Sequence, residues 1–582
     1  MTDLDNAIPT TAITAMSPQQ SQQPLVAERL SGAQLIIRLL ERQGVTTISG
    51  VPGGANLPMY DALTDSPIKH VLARHEQGAG FIGQGMARVS GKAQVCFASS
   101  GPGATNLVTA VADARLDSIP LIAITGQVPQ QMIGTDAFQE IDTFGLMLPV
   151  TKHNWLVRSA EELLEVIPEA FRIALSGRPG PVAIDVPKDV QNQLVDVTSW
   201  PEPGRAVDTP DFDPQLVDQM LEKIRAAHRP VLMVGGGIVY SGAAEQLREF
   251  AEQLELPAVQ TFMGLGVLPS DHPLSLGMLG MHGARYTNYV LEECDLLIGL
   301  GVRFDDRATG KVEAFCPKAE IIHVDIDPSE MGKIKQPVLG ICADVGEVLT
   351  LANQRLQAVT RPLWLQRVEQ LKAAHPLVLE GNDELFRPYG AIKAVAEILD
   401  DQANIATDVG QHQMWVAQAY PINRPRQWVS SGGLGTMGFG LPTAIGMALA
   451  QPQRKSVCFS GDGSIMMNIQ ELATAAEENL DVKVIILNNG HLGLVRQQQT
   501  LFYGENLNAV KFHQGVNFAM TAESMGVKGV DLAQSDNPLA DLQQALLEHG
   551  PCVINLPICE TEMVYPMVAP GGANRDMIGG EA

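Results

Sequence analysis

The stretch "GDGSIMMNIQELATAAEENLDVKVIILNN" occupies residues 461–489 and indicates the fold of the region around it. An apolar strand, "KSVCFSGDG", leads into its first turn, a helical segment follows, and a second apolar strand ends on two asparagines. A strand–helix–strand unit of this length places its strands parallel and often adjacent, ~5 Å apart. Their carboxyl ends then share one edge of a sheet, where ligands of open α/β sheets bind.

That edge would carry one carboxylate and one amide oxygen, from Asp462 and Asn489. With a backbone carbonyl just beyond them, for which His491 is the candidate, they form half of an octahedral Mg²⁺ site that phosphate oxygens and water complete. Gly461 and Gly463 let the backbone approach a diphosphate, and the following helix N-terminus favours its charge. The pattern therefore predicts a magnesium–diphosphate site. The alternative is an ordinary turn followed by an incidental asparagine pair.

The same alternation of short apolar strands and helical segments extends over most of the chain, which is typical of doubly wound parallel sheets. A Pro/Asp/Gly-rich stretch at residues 198–214 and a charged stretch at residues 378–390 interrupt it. We therefore expect an α/β protein with three doubly wound parallel-sheet domains. The predicted ranges are a disordered N-terminal tail at 1–29, domains at 30–197, 215–377 and 388–572, and a C-terminal tail at 573–582.

The composition describes a large globular protein, with 45% hydrophobic and 18% charged residues among 582. A net charge of −25 argues against nucleic acid or an anionic membrane as the main partner. The seven cysteines lack CxxC spacing, and most lie in apolar strands, so we expect buried reduced thiols in a cytoplasmic protein. No apolar run approaches the ~18 residues of a membrane-spanning helix.

Several motifs along the chain resemble a single family. They are "RHEQGAGFIGQGMAR", "SGPGATNL", "GTDAFQEID", "GRPGPVAIDVPKDV", "RFDDRATGK", "DVGQHQMW" and "GGLGTMGFGLP". With the GDG and NN pattern they are similar to the bacterial form of the acetohydroxyacid (acetolactate) synthase catalytic large subunit, over roughly residues 30–572. The resemblance implies thiamine diphosphate, Mg²⁺ and FAD as cofactors, and a carboligation with pyruvate and 2-oxobutanoate as substrates.

The resemblance also implies the groups around thiamine diphosphate. Glu76 would hydrogen-bond the pyrimidine ring and promote loss of the C2 proton, the alternative being a helix-capping glutamate. Met437 would support the cofactor, and Gln411 would open its binding region. In the family the glutamate and the diphosphate site lie on neighbouring subunits, so we expect a homodimer or a larger oligomer. A small regulatory subunit is a further expected partner.

For the keto acids, the resemblance places Phe138, Gln139, Lys188 and Arg303 beside the substrate cleft. Cationic and amide donors there would hold the two carboxylates, although each side chain also has an ordinary surface or core interpretation. Gly54 would let the reacting carbon approach closely because it has no side chain.

The middle of the chain is implied to contact FAD. The matching positions are Arg178, His282, Arg303, Asp325 and Asp344. The residues themselves give only a modest signal, since "VGGGIVYSG" is not a GxGxxG motif. Because the carboligation has no net redox change, we expect FAD to be structural.

Gln498 departs from the family, many of whose members have a tryptophan there beside the alkyl group of the acceptor. One methylene in an apolar pocket is worth about 1–3 kcal/mol, so the smaller, polar glutamine predicts weak discrimination between pyruvate and 2-oxobutanoate. Two alternative functions are a pyruvate oxidase-like flavoenzyme and a non-catalytic cofactor-binding paralogue. The joint presence of Glu76, Asp462 and Asn489 disfavours the paralogue.

Overall fold

The structure is a computed structural model that describes residues 28–207, 209 and 211–580. Its main strands form three six-stranded sheets, in which every pairing is parallel. Neighbouring strand residues point to opposite faces of a sheet, and in these sheets both faces are covered by apolar clusters. In the first sheet, for example, Val95 and Phe97 belong to one apolar cluster, and Cys96 and Ala98 to another. The predicted α/β class with three doubly wound parallel sheets is confirmed.

The N-terminal unit (residues 28–197) comprises β1 (Glu28–Ser31), α1 (Gly32–Arg42), β2 (Thr47–Gly50), α2 (Leu57–Leu63), β3 (Lys69–Leu72), α3 (Glu76–Ser90), β4 (Gln94–Ala98), α4 (Pro102–Leu116), β5 (Leu121–Gln127), α5 (Thr143–Met147), β6 (His153–Leu156), α6 (Leu163–Leu175), β7 (Val182–Pro187), α7 (Lys188–Asn192) and β8 (Leu194–Val197).

The central unit (residues 211–377) comprises α8 (Pro214–Ala226), β9 (Pro230–Val234), α9 (Gly236–Ser241), α10 (Ala244–Leu254), β10 (Ala258–Gln260), β11 (Ser275–Met278), α11 (Arg285–Glu293), β12 (Leu296–Leu300), α12 (Asp306–Thr309), β13 (Glu320–Asp325), β14 (Leu339–Cys342), α13 (Val345–Arg355) and α14 (Pro362–Ala374).

The C-terminal unit (residues 388–580) comprises α15 (Pro388–Leu399), β15 (Ala403–Thr407), α16 (Gln411–Ala419), β16 (Trp428–Val429), α17 (Gly440–Ala450), β17 (Lys455–Gly461), α18 (Asp462–Ile465), α19 (Glu471–Glu477), β18 (Val482–Asn488), α20 (Gly493–Phe502), α21 (Phe518–Ser524), β19 (Lys528–Asp531), α22 (Pro538–Leu547), β20 (Cys552–Pro557), β21 (Met567–Val568) and β22 (Met577–Ile578). Short 3₁₀ helices lie at Gln130–Met132, Leu148–Val150, Phe262–Gly264, Val312–Ala314, Pro328–Glu330, Asp400–Gln402 and Leu532–Gln534.

The N- and C-terminal units have the same strand order. Their six-stranded sheets have the orders β3-β2-β4-β5-β7-β6 and β16-β15-β17-β18-β20-β19. Both orders are 2-1-3-4-6-5 when the six strands of each sheet are numbered along the chain. The order reverses between β2 and β4 in one sheet and between β15 and β17 in the other. Such a reversal opens a crevice at the carboxyl ends of the strands, where ligands bind.

The central unit differs from both. Its order, β11-β10-β9-β12-β13-β14, is 3-2-1-4-5-6 along the chain, which is the order of dinucleotide-binding folds. The reversal falls between β9 and β12, so a crevice is expected where these two strands end.

The N- and C-terminal units meet through α3 and α17. Each of these helices connects the second and third strands of its six-stranded sheet along the chain. The backbones approach so closely that a Cβ on Gly85 would overlap the carbonyl oxygen of Thr443, and a Cβ on Gly446 that of Ile82. Glycine at both positions is therefore what allows the contact.

A buried ion cluster completes this junction. Arg88 of α3 donates to Asp113 at 3.2 Å, to Asp117 at 2.9 Å and to the carbonyl oxygen of Ser430 at 3.1 Å. The hydroxyl of Tyr240, from the central unit, donates to the backbone carbonyl of Asp117. All three units therefore share one polar cluster whose charges are paired, as burial requires.

The two predicted tails need correction where the structure describes them. Residues 1–27 lie outside the described residues, whereas Glu28 and Arg29 belong to β1, which pairs with β8. From the predicted tail at 573–582, β22 pairs with β21, and Nδ2 of Asn574 donates to the carbonyl oxygen of Ala308 at 2.8 Å. Pairing with distant backbone holds both segments, and composition does not reveal such pairing.

Two further features bear on the expected surroundings of the protein. All seven cysteines are free, and five are buried, whereas Cys342 and Cys559 are exposed. Within the part of the chain that the structure describes, no helix combines the length and apolar character needed to cross a membrane.

Candidate active site

The carboxyl end of β17 continues directly into the predicted metal-binding turn. Gly461 pairs with Leu487 of β18 in parallel register, so Asp462 and Asn489 follow neighbouring strands, as predicted. Asp462 is 6% exposed. Burial raises the pKa of its carboxyl to about 6, although backbone N–H groups, foremost that of Gly490, stabilise the ionised form. A cation beside this carboxylate would offset the cost of burying its charge.

The two adjacent asparagines have different partners. Asn488 turns towards β20, where its Nδ2 donates to Oδ1 of Asn555 at 3.0 Å. Asn489 instead donates from Nδ2 to Oε1 of Gln411 at 3.2 Å, and its Oδ1 accepts the N–H of His491 at 3.1 Å. The amide nitrogen of Asn489 is bonded to Gln411, and one lone pair of Oδ1 is bonded to the N–H of His491. The second lone pair of Oδ1 is therefore the group that Asn489 can offer to a cation.

A cavity of about 170 Å³ lies at the crevice of the C-terminal unit. All its lining residues fall between positions 409 and 495, so the N-terminal unit of the same chain contributes none. Seven predicted site residues line it: Gln411, Met437, Gly461, Asp462, Gly463, Asn489 and His491. The structure thus gathers the predicted diphosphate and metal residues into one enclosed space.

His412 gives the clearest sign that this cavity suits a polar ligand. The residue is 5% exposed, and burial lowers its pKa to about 3, so the imidazole is neutral. Among the described residues its Nε2 has no hydrogen-bond partner, which is rare for a buried polar atom. His412 was not among the predicted residues, although its position directly after Gln411, at the crevice, could have identified it.

Three glycines keep backbone groups exposed to the cavity. A Cβ on Gly461 would lie 3.0 Å from Nδ1 of His412, one on Gly463 would lie 2.6 Å from Cδ2 of Leu492, and one on Gly493 would overlap the side chain of Gln411. Exposed backbone at a strand-to-helix turn, beside a carboxylate, an amide oxygen and a neutral imidazole, fits a diphosphate with Mg²⁺. The residues present therefore fit thiamine diphosphate and its metal ion.

The predicted Mg²⁺ ligands include a single ionisable side chain, Asp462, so the predicted site differs from a carboxylate- or histidine-rich centre. Consistent with this, no three His, Cys, Asp or Glu side chains gather as a metal site anywhere in the described ranges. The turn that carries Met437 is held by Asp408, whose Oδ1 accepts the N–H of Gly438 at 2.8 Å. Met437 therefore lies on a fixed segment of the cavity wall.

Glu76 is the first residue of α3 and is half-buried. Its Oε2 accepts a hydrogen bond from Nδ2 of Asn106 at 2.9 Å. The cap of the helix is His75, whose side chain accepts the N–H of Gln77. Glu76 is thus not the capping residue, so its alternative interpretation as a helix-capping glutamate is wrong.

Of the predicted substrate residues in the N-terminal unit, Gly54, Phe138 and Gln139 are exposed, whereas Lys188 is half-buried. Gly54 has open space where a Cβ would stand, and Gln139, with φ of 59°, packs its backbone against Gly101. Phe138 is 87% exposed. Lys188 begins α7 and lines a separate open groove. None of these side chains lines the cavity of the C-terminal unit in the same chain.

The predicted FAD residues surround the central unit. Asp325 ends β13, is 8% exposed, and has its pKa raised to about 6 by burial. Arg178 reaches from the N-terminal unit and donates to Glu330 at 2.8 Å. A buried carboxyl at a strand end, in a sheet of dinucleotide-binding order, fits a ribose.

The remaining predicted FAD residues have protein partners or lie nearby. His282 is buried, and its Nδ1 lies 3.3 Å from the carbonyl oxygen of Pro566. Arg303 is half-buried just beyond β12. Asp344 caps α13, where its carboxylate accepts the N–H of Gly346 at 2.8 Å, so its side chain has a structural function of its own.

Helix α20 carries two neighbouring glutamines with different environments. Gln498 is half-buried and does not line the cavity. Gln497 is buried, and its Oε1 accepts from Nε2 of Gln411 at 3.0 Å. Gln497 thereby fixes the side chain that orients Asn489, a role that no sequence motif indicated.

Comparison with known proteins agrees with this geometry. Family models of thiamine pyrophosphate (thiamine diphosphate) enzymes match three regions: the N-terminal TPP-binding domain at residues 30–146, the central domain at 217–351 and the C-terminal TPP-binding domain at 408–556. Acetolactate synthase isozyme 1 large subunit of Escherichia coli is 57% identical over 95% of this chain and 98% of its own. Acetolactate synthase 1, chloroplastic, of Zea mays is 46% identical over 94% of this chain and 88% of its own.

An archaeal relative, the probable acetolactate synthase large subunit of Methanocaldococcus jannaschii, is 45% identical over 93% of this chain and 94% of its own. Similarity of this extent covers all three units and both crevices. The chain belongs to the acetolactate synthase large-subunit family of thiamine diphosphate enzymes.

Proposed function

We propose that this chain is the catalytic chain of an acetolactate synthase, which decarboxylates pyruvate and joins the two-carbon unit to a second 2-oxo acid. The product is 2-acetolactate with pyruvate as acceptor, or 2-aceto-2-hydroxybutanoate with 2-oxobutanoate, at the entry to valine, leucine and isoleucine synthesis. The observation that carries the proposal is the cavity where Asp462, Asn489 and the unpartnered Nε2 of His412 meet. When bound there, thiamine diphosphate supplies the nucleophilic carbon on which the decarboxylation depends.

The C-terminal unit would bind the cofactor. Asp462 and Asn489 would give two oxygen ligands to Mg²⁺, and the carbonyl of His491 a third. The imidazole of His412 and the backbone at Gly461 would contact the diphosphate. These assignments are supported by the burial of Asp462, by the hydrogen-bonded amide nitrogen of Asn489 and by the glycine backbone that lines the cavity.

The N-terminal unit of a second copy would complete the site. Glu76 would share a proton with a ring nitrogen of the pyrimidine and so promote removal of the C2 proton. A homodimer is supported by the absence of Glu76 from the cavity wall of its own chain. It is also supported by exposed apolar side chains beside both halves, namely Leu434 (42% exposed), Met467 (52%) and Phe138 (87%), which a second copy would cover.

The substrates would be held by residues of the N-terminal and central units. Gln139, Lys188 and Arg303 would donate to the carboxylates of the keto acids, because cationic and amide donors bind carboxylates well. Gly54 and Phe138 would shape the space beside the reacting carbon. Gln498, on α20, would contact the alkyl group of the acceptor.

FAD would bind the central unit through Arg178, His282, Arg303, Asp325 and Asp344. The strand order of this unit and the buried carboxyl of Asp325 support this assignment. A small regulatory subunit would associate with the chain, as the designation of the relatives as large subunits suggests. We further expect the enzyme to act in the cytoplasm.

The test is an assay of the purified chain with pyruvate, thiamine diphosphate, Mg²⁺ and FAD. We expect acetolactate as the main product. Acetate, with consumption of oxygen or quinone, would contradict the proposal and favour a pyruvate oxidase-like flavoenzyme. A second assay replaces FAD with its 5-deaza analogue, and a structural FAD predicts about equal acetolactate formation.

A further inference from the structure

A buried carboxyl of the C-terminal unit lies against the first turn of α3 in the N-terminal unit. Glu471, the first residue of α19, is fully buried. Its two carboxylate oxygens accept the backbone N–H of Arg74 at 3.0 and 3.2 Å, and Oε2 also accepts from the hydroxyl of Thr474 at 2.7 Å. This carboxyl therefore bonds to the backbone two residues before Glu76.

The first turn of α3 is built to receive this carboxyl. A Cβ on Gly78 would overlap the carboxyl of Glu471, so only glycine leaves the required space. The positive end of the helix dipole lies at the same turn and favours an acidic side chain. Burial raises the pKa of Glu471 to about 7, and the hydroxyl of Thr474 and the N–H groups of Arg74 and His75 oppose that rise.

Two features of the described residues bear on the position of the Glu76 carboxyl. Its Oε2 accepts a hydrogen bond from Asn106, and its backbone belongs to the segment that Glu471 holds through Arg74. A shift of this segment would move Glu76 relative to the cofactor of the second copy. Misplacement of a catalytic group by about 1 Å can cost up to ~100-fold in rate.

We propose that Glu471 is a positioning residue for Glu76, which it holds in the orientation needed for activation of thiamine diphosphate. This inference rests on the role of Glu76 in the proposed function. A purely structural role, in which Glu471 only ties two units together, predicts loss of stability without a specific effect on the activation step.

The first experiment compares Glu471→Gln with Glu477→Gln in the full-length holoenzyme. The amide introduced by Glu471→Gln keeps one acceptor oxygen but replaces the second with a donor. Glu477 is a matched control on the same helix, because its carboxylate pairs with the side chain of Arg74 rather than with its backbone. We expect Glu471→Gln to slow C2 proton exchange of bound thiamine diphosphate by ~10- to 100-fold, with cofactor affinity unchanged, and Glu477→Gln to exchange at the native rate. Native exchange in Glu471→Gln would overturn the proposal.

A second experiment uses hybrid dimers, which remain informative if Glu471→Gln lowers stability. In the proposed dimer, Asp462 of one chain and Glu76 of the other form each site. Asp462→Ala therefore removes one site, and the surviving site uses Glu76 of the chain that carries Asp462→Ala. Glu471→Gln in that same chain should slow the surviving site, whereas in the opposite chain it should leave about half of the native activity.

Both hybrids contain the same substitutions, so a general loss of stability would affect them equally. Equal activities would therefore overturn the positioning role. The control hybrids combine Asp462→Ala with Glu76→Gln in the same or in opposite chains. The shared-site model predicts activity only when the two control substitutions are in opposite chains. Activity only when they are in the same chain, or equal activity in both hybrids, would show that the shared-site model of the proposed function is wrong, which is distinguishable from a failure at Glu471 alone.

Discussion

The N- and C-terminal units have the same strand order but place different chemistry at the same point. In the C-terminal unit, the residues after β15, β17 and β18 enclose a cavity with a carboxylate, an amide and an imidazole. In the N-terminal unit, the corresponding crevice has the open glycine Gly54, and Glu76 lies at the start of the helix after β3. Strand order thus determines where a site can form, and the residues just beyond the strands determine what it binds.

In the proposed function, the C-terminal unit binds the cofactor and the N-terminal unit activates it. Substitution of Asp462 is the strongest test of this division of roles. Asp462→Ala removes the only carboxylate of the predicted Mg²⁺ site, so we expect thiamine diphosphate to bind more than ~100-fold more weakly, because even outer partners of a metal site are worth 10- to 100-fold. A titration of tryptophan fluorescence measures the affinity, since Trp415 lines the cavity.

Asn488→Ala is the matched control for that experiment. Asn488 is adjacent to the proposed ligand Asn489 but bonds to Asn555 of β20. Its substitution should leave cofactor affinity near the native value. Native affinity in Asp462→Ala would remove this residue from the site and reverse the assignment of roles.

The activating role of the N-terminal unit is tested by Glu76→Gln. An amide cannot share a proton with the pyrimidine in the same way, so we expect C2 exchange to slow by about 10²–10⁴-fold, the usual range for general acid–base catalysis. Cofactor affinity should stay near native because the diphosphate contacts lie in the C-terminal unit. NMR of the exchange and the fluorescence titration together measure both quantities. Weaker binding with native exchange would contradict the division of roles.

Acceptor choice gives a smaller expected effect. Gln498 is half-buried on α20, which also contributes Val495 to the cavity wall. Gln498→Trp should increase the preference for 2-oxobutanoate over pyruvate by roughly 10- to 200-fold, the value of one methylene in an apolar pocket. Competition between equal concentrations of the two acceptors measures it. A native chain that already prefers 2-oxobutanoate by tens-fold, or a Gln498→Trp variant without increased preference, would contradict the proposed role of Gln498 in acceptor choice.

The smallest expected effects are changes in stability, which should differ between the neighbouring glycines Gly53 and Gly54. A Cβ on Gly53 would lie 2.6 Å from the side chain of Ser99, whereas one on Gly54 meets open space. Gly53→Ala should therefore lower the free energy of unfolding by about 1–3 kcal/mol through overpacking, and Gly54→Ala should change it by less than ~0.5 kcal/mol. Urea unfolding measures both. If Gly54 faces the substrate, its alanine variant should still show a raised KM for pyruvate.

Sequence patterns predicted the fold class and the meeting of Asp462 and Asn489 at one edge of a sheet, for physical reasons. Asp462 and Asn489 follow two strands joined by a single crossover, and parallel pairing brings such strand ends together whatever the rest of the chain does. Features that depend only on near neighbours along the chain are therefore visible in the sequence.

Features that depend on distant residues were not visible. Gln497 acts through Gln411, which is far away in the sequence, and Glu471 acts on Arg74 of another unit. The strands β1 and β22 pair with backbone that composition does not identify. The placement of Glu76 outside the cavity of its own chain was expected from the family resemblance alone, because it depends on the packing of whole units.

The contact between α3 and α17 has a consequence for symmetry. The two helices occupy equivalent positions in two units of equal strand order, and Gly85 and Gly446 allow their backbones to touch. In an oligomer, an interface between like surfaces is called isologous and closes a pair. The chain thus contains a comparable pair of equivalent helices within one polypeptide, in which α3 and α17 already cover one face of each other. Association with a second copy would then use the surfaces that flank the two crevices, including the N-terminal end of α3, where Glu76 lies.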